Sequence, residues 1–331
     1  MSPSTLGLPF AHAGLERRVR TRLDEVEAGL ARAVSSGAPF VSQAARHLLD
    51  AGGKRFRPLL VLLTAEFGDP DAGGVVPAAL VVELTHLATL YHDDVMDEAA
   101  LRRGAQSANA RWDNTVAILT GDYLFAQASE VVSHLGPEAV RLQAQTFSRL
   151  VQGQIAETLG PGKGEDHLAH YLGVVADKTG SLIATSALFG ARTAGAPLEQ
   201  QEALASFGEQ IGSAFQLSDD IIDVTSDTDA SGKTPGTDLR EGIATLPVLL
   251  ARRSDDSATA VLADLLDGDL SDDAVLGAVL ALLREHPALE EARSFVRARA
   301  HRARALLGPL PDVPARAALE AMCDLVVTRT G

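Results

Sequence analysis

Two acidic words of identical spacing could do chemistry in this chain: Asp93-Asp94-Val95-Met96-Asp97 and Asp219-Asp220-Ile221-Ile222-Asp223. Each reads D-D-x-x-D and each sits in a strongly apolar segment with helical periodicity. On a helix, residues four apart share a face, with Cβ atoms roughly 5–6 Å apart. Asp93 therefore points with Asp97, and Asp219 with Asp223. Buried carboxylates are costly unless paired or metal-bound, and two such clusters facing each other would repel unless divalent cations lay between them. Hard carboxylate oxygens suit Mg²⁺, which takes substrate phosphates as further partners. The predicted chemistry is metal-assisted handling of a diphosphate. A solvated helix end would explain one such word, but two in one chain weigh strongly against that reading.

An anionic substrate also needs cations. Gly52-Gly53-Lys54-Arg55-Phe56-Arg57-Pro58 places three of them within four residues. Taken alone it reads as a basic turn, but a glycine pair before a helix start also makes an anion cradle from backbone N–H groups and side-chain donors. Arg102-Arg103-Gly104 is a second basic cluster, and Lys178 and Lys233 lie near the ends of apolar segments. Each lysine alone reads as a surface residue. Together these cations form two groups for two anionic moieties. His86 reads first as a satisfied core histidine and second as a base. No Ser/His/Asp arrangement and no G-x-x-x-x-G-K-[ST] nucleotide loop is present.

These residues must be positioned by helices, because helical periodicity runs almost everywhere and strand alternation almost nowhere. The pattern predicts helices over 13–36, 40–51, 55–67, 74–101, 106–134, 137–159, 165–179, 181–194, 198–224, 237–253, 257–266, 271–286, 288–307 and 312–330. At 100° per residue, Thr89, His86 and Val82 fall beneath Asp93, while Phe215, Gly212 and Gly208 fall beneath Asp219. Glycine in a helix interior costs about 1 kcal/mol against alanine, so that pair predicts close helix approach or an open cavity, with an apolar channel below the acidic rims. The polar stretch Thr225 to Thr237 reads as a surface loop or as a mobile flap carrying Lys233 over the phosphates.

The 331 residues show no composition break, so one all-α domain over 1–331 is the simplest account. Net charge is −15, which speaks against nucleic-acid binding and against simple electrostatic attachment to anionic lipid. Cys323 is the one cysteine, which excludes a disulfide framework and fits a reducing cytoplasm. No signal peptide is read at the N-terminus, and the longest apolar stretches are interrupted before a bilayer-spanning length.

The ordered set GGKRFRP, ELTHLATLYHDDVMDEAALRRG, AILTGDYLFAQA, DKTGSL, AFQLSDDIIDV and GKTPGTDLREGIATLP resembles the trans-isoprenyl diphosphate synthases, the polyprenyl synthetase family, and in particular long-chain members. The resemblance runs from about Gly52 to Pro247. It implies an all-α helical bundle around a deep central cavity, working as a homodimer. It implies that Asp93, Asp97 and Asp219 bind Mg²⁺ and clamp an allylic diphosphate, with Asp94, Asp220 and Asp223 assisting. Arg102, Lys178 and Lys233 would hold the same diphosphate. Gly53, Lys54, Arg57, His86 and Arg103 would hold isopentenyl diphosphate, with Thr179 and Gln216 lining the side of the second word. Small residues at Ala88 and Thr89, four or five positions before the first aspartate, imply a long product, and a long apolar product implies weak association with a membrane on release. One position departs from the family pattern: Ile243 stands where the family's final G-K-x-T-x-P element carries lysine. A class I terpene cyclase and a subunit of a heteromeric synthase are the alternatives. The GGKRFRP stretch and the second D-D-x-x-D argue against the first, and retention of both acidic words argues against the second.

Overall fold

The computed structural model describes residues 7–226, 235–254 and 257–330. Its elements in chain order are α1 (Ala13–Ala33), α2 (Pro39–Asp50), α3 (Phe56–Ala65), α4 (Val75–Met96), a short hairpin β1 (Leu101–Arg102) and β2 (Ala105–Gln106), α5 (Ala108–Arg111), α6 (Asn114–Ser133) and α7 (Pro137–Leu159). Then come α8 (His167–Val175), a π-turn (Ala176–Gly180), α9 (Ser181–Thr193), α10 (Leu198–Thr225), α11 (Thr237–Arg240), α12 (Leu246–Arg252), α13 (Ser257–Leu266), α14 (Asp273–Glu285), α15 (Pro287–Leu307) and α16 (Pro314–Thr328). The all-α expectation holds.

Three predicted helices are corrected. The span 106–134 begins in strand β2 and is two helices, α5 and α6, parted at Trp112 and Asp113, where the extended Asp113 caps α6 by accepting from Val116 N–H at 2.8 Å. The span 74–101 ends at Met96, where Glu98 takes a left-handed conformation (φ 49°) and Ala99 N–H reaches back to the Asp94 carbonyl at 3.0 Å. That six-to-one bond, with Glu98 N–H on the Val95 carbonyl at 3.4 Å, is a Schellman cap. The chain then turns through Arg103 (φ 55°) and Gly104 (φ 76°), two successive positive φ values that define a type I′ hairpin. The span 237–253 is likewise two helices, broken at Gly242 (φ 76°) and restarted with Pro247 in the first turn of α12. Ile243 lies in that break, not in a helix.

Close contacts gather the chain into two compact units: Met1–Ser148, Leu182–Gly208 and Leu306–Ala321 form one, and Arg149–Ser181, Glu209–Ala305 and Met322–Gly331 the other. In the first, α4 is the hub, packed by α1, α3 and α6. It is apolar around nearly its whole girth, and Val75, Ala78, Ala79, Val82, Leu84, Leu87 and Ala88 are all buried. The expectation that every apolar stretch is interrupted early is corrected here, because α4 is long and apolar enough to cross a membrane by length and composition. Of its most apolar window, however, 67% is buried inside the protein, as a core helix requires. Gly208 resolves one sequence reading towards close approach: a Cβ there would lie 2.8 Å from the Ala184 backbone of α9. In the second unit, Ile211, Ala214, Leu217, Ile221 and Val224 give α10 a buried stripe at three- and four-residue spacing.

Candidate active site

Both acidic words occupy the C-terminal ends of long helices, the first closing α4 and the second closing α10. That end of a helix carries a partial negative charge, which disfavours carboxylates. Neither last turn contains a basic residue. The backbone therefore raises the cost of these aspartates, and counter-cations must come from elsewhere.

In the first unit, Asp97 lies one residue past α4 but keeps helical geometry, and its N–H bonds the Asp93 carbonyl at 2.8 Å. Asp93 and Asp97 thus keep the four-residue relation. Asp94 points inward and is fully buried. Its Oδ1 accepts from Arg102 Nε at 2.5 Å, while its Oδ2 is buried with no hydrogen-bond partner among the described residues. Burial raises the Asp94 pKa in spite of Arg102. Arg102 also reaches Asp97 at 3.8 Å, so the hairpin returns a cation to the acidic word that precedes it.

The basic stretch divides by role. Arg55 is the interior strut: it starts α3 in a left-handed conformation (φ 50°) and pairs with Glu27 at 2.5 Å and Glu83 at 3.1 Å. Arg103 donates to the carbonyls of Leu48, at 2.9 Å, and Gly52. Gly53 leaves room for both, since a Cβ there would meet Arg55 Nη1 at 2.6 Å and the Arg103 guanidinium at 3.0 Å. Lys54 is exposed. Arg57 is different, because its Nε is buried with no hydrogen-bond partner among the described residues, and burial lowers its pKa to about 10. Glu83 and Asp93 act on it favourably and Arg103 unfavourably. His86 sits among these cations. Burial first, and then Arg57, Arg103, Arg55 and Arg102, push its pKa well below the ordinary value, so the ring is neutral. Four guanidinium groups acting on one neutral imidazole, one of them with an unused buried donor, describe a site prepared for an anion.

Below Asp93, Thr89 is buried with its hydroxyl on the His86 carbonyl at 2.8 Å, and Ala88 is wholly buried. The half-buried positions on that side of α4 are His86, Leu90 and Asp93.

In the second unit the three aspartates have three different surroundings. Asp219 pairs with Arg329 at 2.5 Å. Asp220 is buried, with Tyr171 donating to its Oδ2 and Gln216 donating to its Oδ1 at 3.1 Å. Burial, then Asp238 and Asp223, hold the Asp220 pKa well above the usual carboxylate range. Gln216 in turn accepts from Thr179 at 3.2 Å, so Thr179, Gln216, Asp220 and Tyr171 form one chain of hydrogen bonds. Asp223 accepts from Thr237 N–H at 3.2 Å and Asp238 N–H at 3.3 Å, and so anchors the first turn of α11. Lys178 lies in the π-turn and pairs with Glu157 at 2.5 Å. Lys233 lies outside the described residues.

Sequence reasoning missed Tyr171, Glu157 and Arg329. Tyr171 precedes Lys178 by seven residues, a two-turn spacing that could have flagged it. Arg329 carries no signal beyond being a lone cation after an apolar helix.

Among the described residues, no three His, Cys, Asp or Glu side chains gather around one point as a ready metal cage. That suits Mg²⁺, which is commonly bound through one or two carboxylates with the rest supplied by phosphate and water. The unpartnered Asp94 Oδ2 and the uncompensated helix ends point the same way, so the residues present fit a divalent cation.

The solved structure of geranylgeranyl pyrophosphate synthase from Corynebacterium glutamicum, complexed with calcium and isoprenyl diphosphate, superposes with a TM-score of 0.89 at 47% identity, covering 98% of this chain and 99% of that one. The fold is thus that of the all-α isoprenyl diphosphate synthases. The chain is 48% identical to the nonaprenyl diphosphate synthase of Mycobacterium tuberculosis, over 100% of its own length and 99% of that protein. It is 45% identical to a dimethylallyltranstransferase of the same organism, over 85% of this chain and 86% of the other. The polyprenyl synthetase family model matches residues 38–283, and the chain belongs to that family. It is accordingly a prenyltransferase.

Proposed function

We propose that the protein condenses isopentenyl diphosphate with an allylic diphosphate to give a long all-trans polyprenyl diphosphate. Asp93, Asp97 and Asp219 would hold Mg²⁺, which would supply the charge neutralisation that makes the allylic diphosphate a leaving group. Arg102, Lys178 and Lys233 add cations for that diphosphate. Gly53, Lys54, Arg57, His86 and Arg103 bind isopentenyl diphosphate. Asp94, Asp220, Asp223, Gln216 and Thr179 set the positions of these groups. The observation that carries the reading is the basic cradle around Arg57, with its unused buried donor, held in the same unit as an acidic word at a helix end. One diphosphate needs cations without a metal and the other needs a metal.

The allylic C–O bond breaks and the pair of electrons leaves with diphosphate. The isopentenyl double bond attacks the resulting cation, a new C–C bond forms, and a proton passes to the departing diphosphate. The apolar lining keeps water from intercepting the cation.

The test is incubation with geranylgeranyl diphosphate, with and without isopentenyl diphosphate, followed by mass spectrometry. Chain extension that requires isopentenyl diphosphate is expected, and a cyclic hydrocarbon formed without it would overturn the proposal in favour of a cyclase. Thr89→Phe puts a ring on the face that carries Asp93 and should shorten the product. An unchanged product distribution would remove Ala88 and Thr89 as determinants of length.

The whole chain, 1–331, acts as one domain in this reading, because the family match crosses both compact units. A homodimer in the cytoplasm is the working form. The supports are exposed apolar residues that a second copy would cover, Ile118 and Leu119 on α6 and Ile155 and Leu159 on α7, and a single cysteine, Cys323, which is buried. Release of a long apolar product calls for weak, transient contact with a membrane.

A further inference from the structure

Arg329 follows α16 and is delivered to Asp219 with care. Its Nη2 donates to Asp219 Oδ1 at 2.5 Å, and its guanidinium lies over the Phe215 ring, 4.3 Å from the centroid. Phe215 and Asp219 are four residues apart on α10, so one helix face offers both a ring and a carboxylate. The segment is pinned one residue further on, where Arg293 Nε donates to the carbonyl of the buried Thr330 at 2.7 Å. Yet the second terminal nitrogen, Arg329 Nη1, is buried with no partner among the described residues. A pair that served the fold alone would fill that donor, because a buried unsatisfied donor is destabilising. An idle donor beside a partly exposed carboxylate belongs instead to a site whose last occupant carries acceptor oxygens.

We propose that Arg329 is the resident counter-cation of Asp219: it holds the carboxylate in the unloaded enzyme and yields it when a divalent cation binds. Its Nη1, already desolvated, is then free to donate to a diphosphate oxygen. The proposal rests on Asp219 being a metal ligand, as put forward above. Three observations converge on it: the uncompensated C-terminal end of α10, the pair with its stacked ring, and the idle buried donor. Arg329 is therefore a positioning residue, and it sets the metal concentration that the enzyme requires.

The experiment titrates full-length protein with Mn²⁺ alone and follows the free ion by electron paramagnetic resonance. Arg329→Gln, Arg329→Lys and Asp219→Asn are compared with wild type, and far-UV circular dichroism checks each fold. Asp219→Asn defines the share of binding that belongs to Asp219. Removing a competing, partly exposed cation should tighten that share by about fivefold in Arg329→Gln. Arg329→Lys, which keeps the charge, should stay close to wild type. If Asp219→Asn weakens binding while Arg329→Gln matches wild type or binds more weakly, the role of Arg329 is overturned and the metal assignment survives. Tightening in Arg329→Lys as large as that in Arg329→Gln would also overturn it, since charge would not be the cause. If Asp219→Asn binds Mn²⁺ as wild type does, the metal assignment itself fails.

Discussion

Asp93→Asn and Asp219→Asn are each expected to lower turnover by about a thousandfold, the scale found when preorganised electrostatic stabilisation of a leaving group is removed. The substitution keeps side-chain shape and removes the charge. Stability should not follow the rate. Asp93 lies in the last turn of α4, where a carboxylate works against the helix dipole, but it also acts favourably on the buried Arg57, so its neutralisation should change stability little. Asp219 loses its pair with Arg329 as well, so its change should be close to zero. Initial rates at saturating Mg²⁺, read beside thermal unfolding, separate these effects. Activity within tenfold of wild type in either variant would remove that residue from the metal site. A fall in melting temperature as large as the fall in rate would mean that the fold, not the chemistry, had been damaged.

Arg57→Met should raise the KM for isopentenyl diphosphate by about a hundredfold while kcat changes much less, because a charge-assisted contact made in the bound state is lost. Methionine fills much of the same volume without the guanidinium. Burial has pushed the Arg57 pKa down to about 10, so the folded protein disfavours the charged form that neutral pH imposes. Taking the charge away should therefore raise the melting temperature. The same variant gives a second reading. Arg57 is the strongest of the charges that depress His86, so the His86 pKa should climb toward its ordinary value, as an NMR titration would show. An unaltered KM together with an unaltered His86 would show that the cradle lies elsewhere.

Most of the chemistry was legible in the sequence because it is local. The acidic words, the GGKRFRP stretch and Arg102-Arg103 each bring their members together within a few residues. Arg102 reaches Asp94 over only eight positions. What was missed is either long-range or conformational. Arg329 meets Asp219 across 110 residues, and no spacing rule connects them. Tyr171 meets Asp220 across 49. The predicted helices over 74–101 and 106–134 take in the hairpin's outer residues, Leu101 and Gln106, because its strands are two residues long, too short for any alternation to show. The break at Gly242 was overridden by apolar periodicity on both sides, although a glycine followed by Thr-Leu-Pro is a stop and a restart. Ile243, a departure from the family pattern, therefore sits in a turn held by its own N–H on the Asp238 carbonyl at 2.8 Å.

The π-turn at Ala176–Gly180 follows α8 directly, with helical backbone on either side of it. A widened turn is how a helix absorbs one surplus residue, and each α-helical residue accounts for about 100° of rotation. Residues of the widened segment are thus rotated from where an unbroken α-helix would put them. Lys178 and Thr179 ride on the widened segment and meet Glu157 and Gln216, whereas Thr185, beyond it, meets Thr146. The azimuth of those partners is stored as one extra peptide unit, so a register change, rather than a side-chain change, is the economical way for evolution to redirect them.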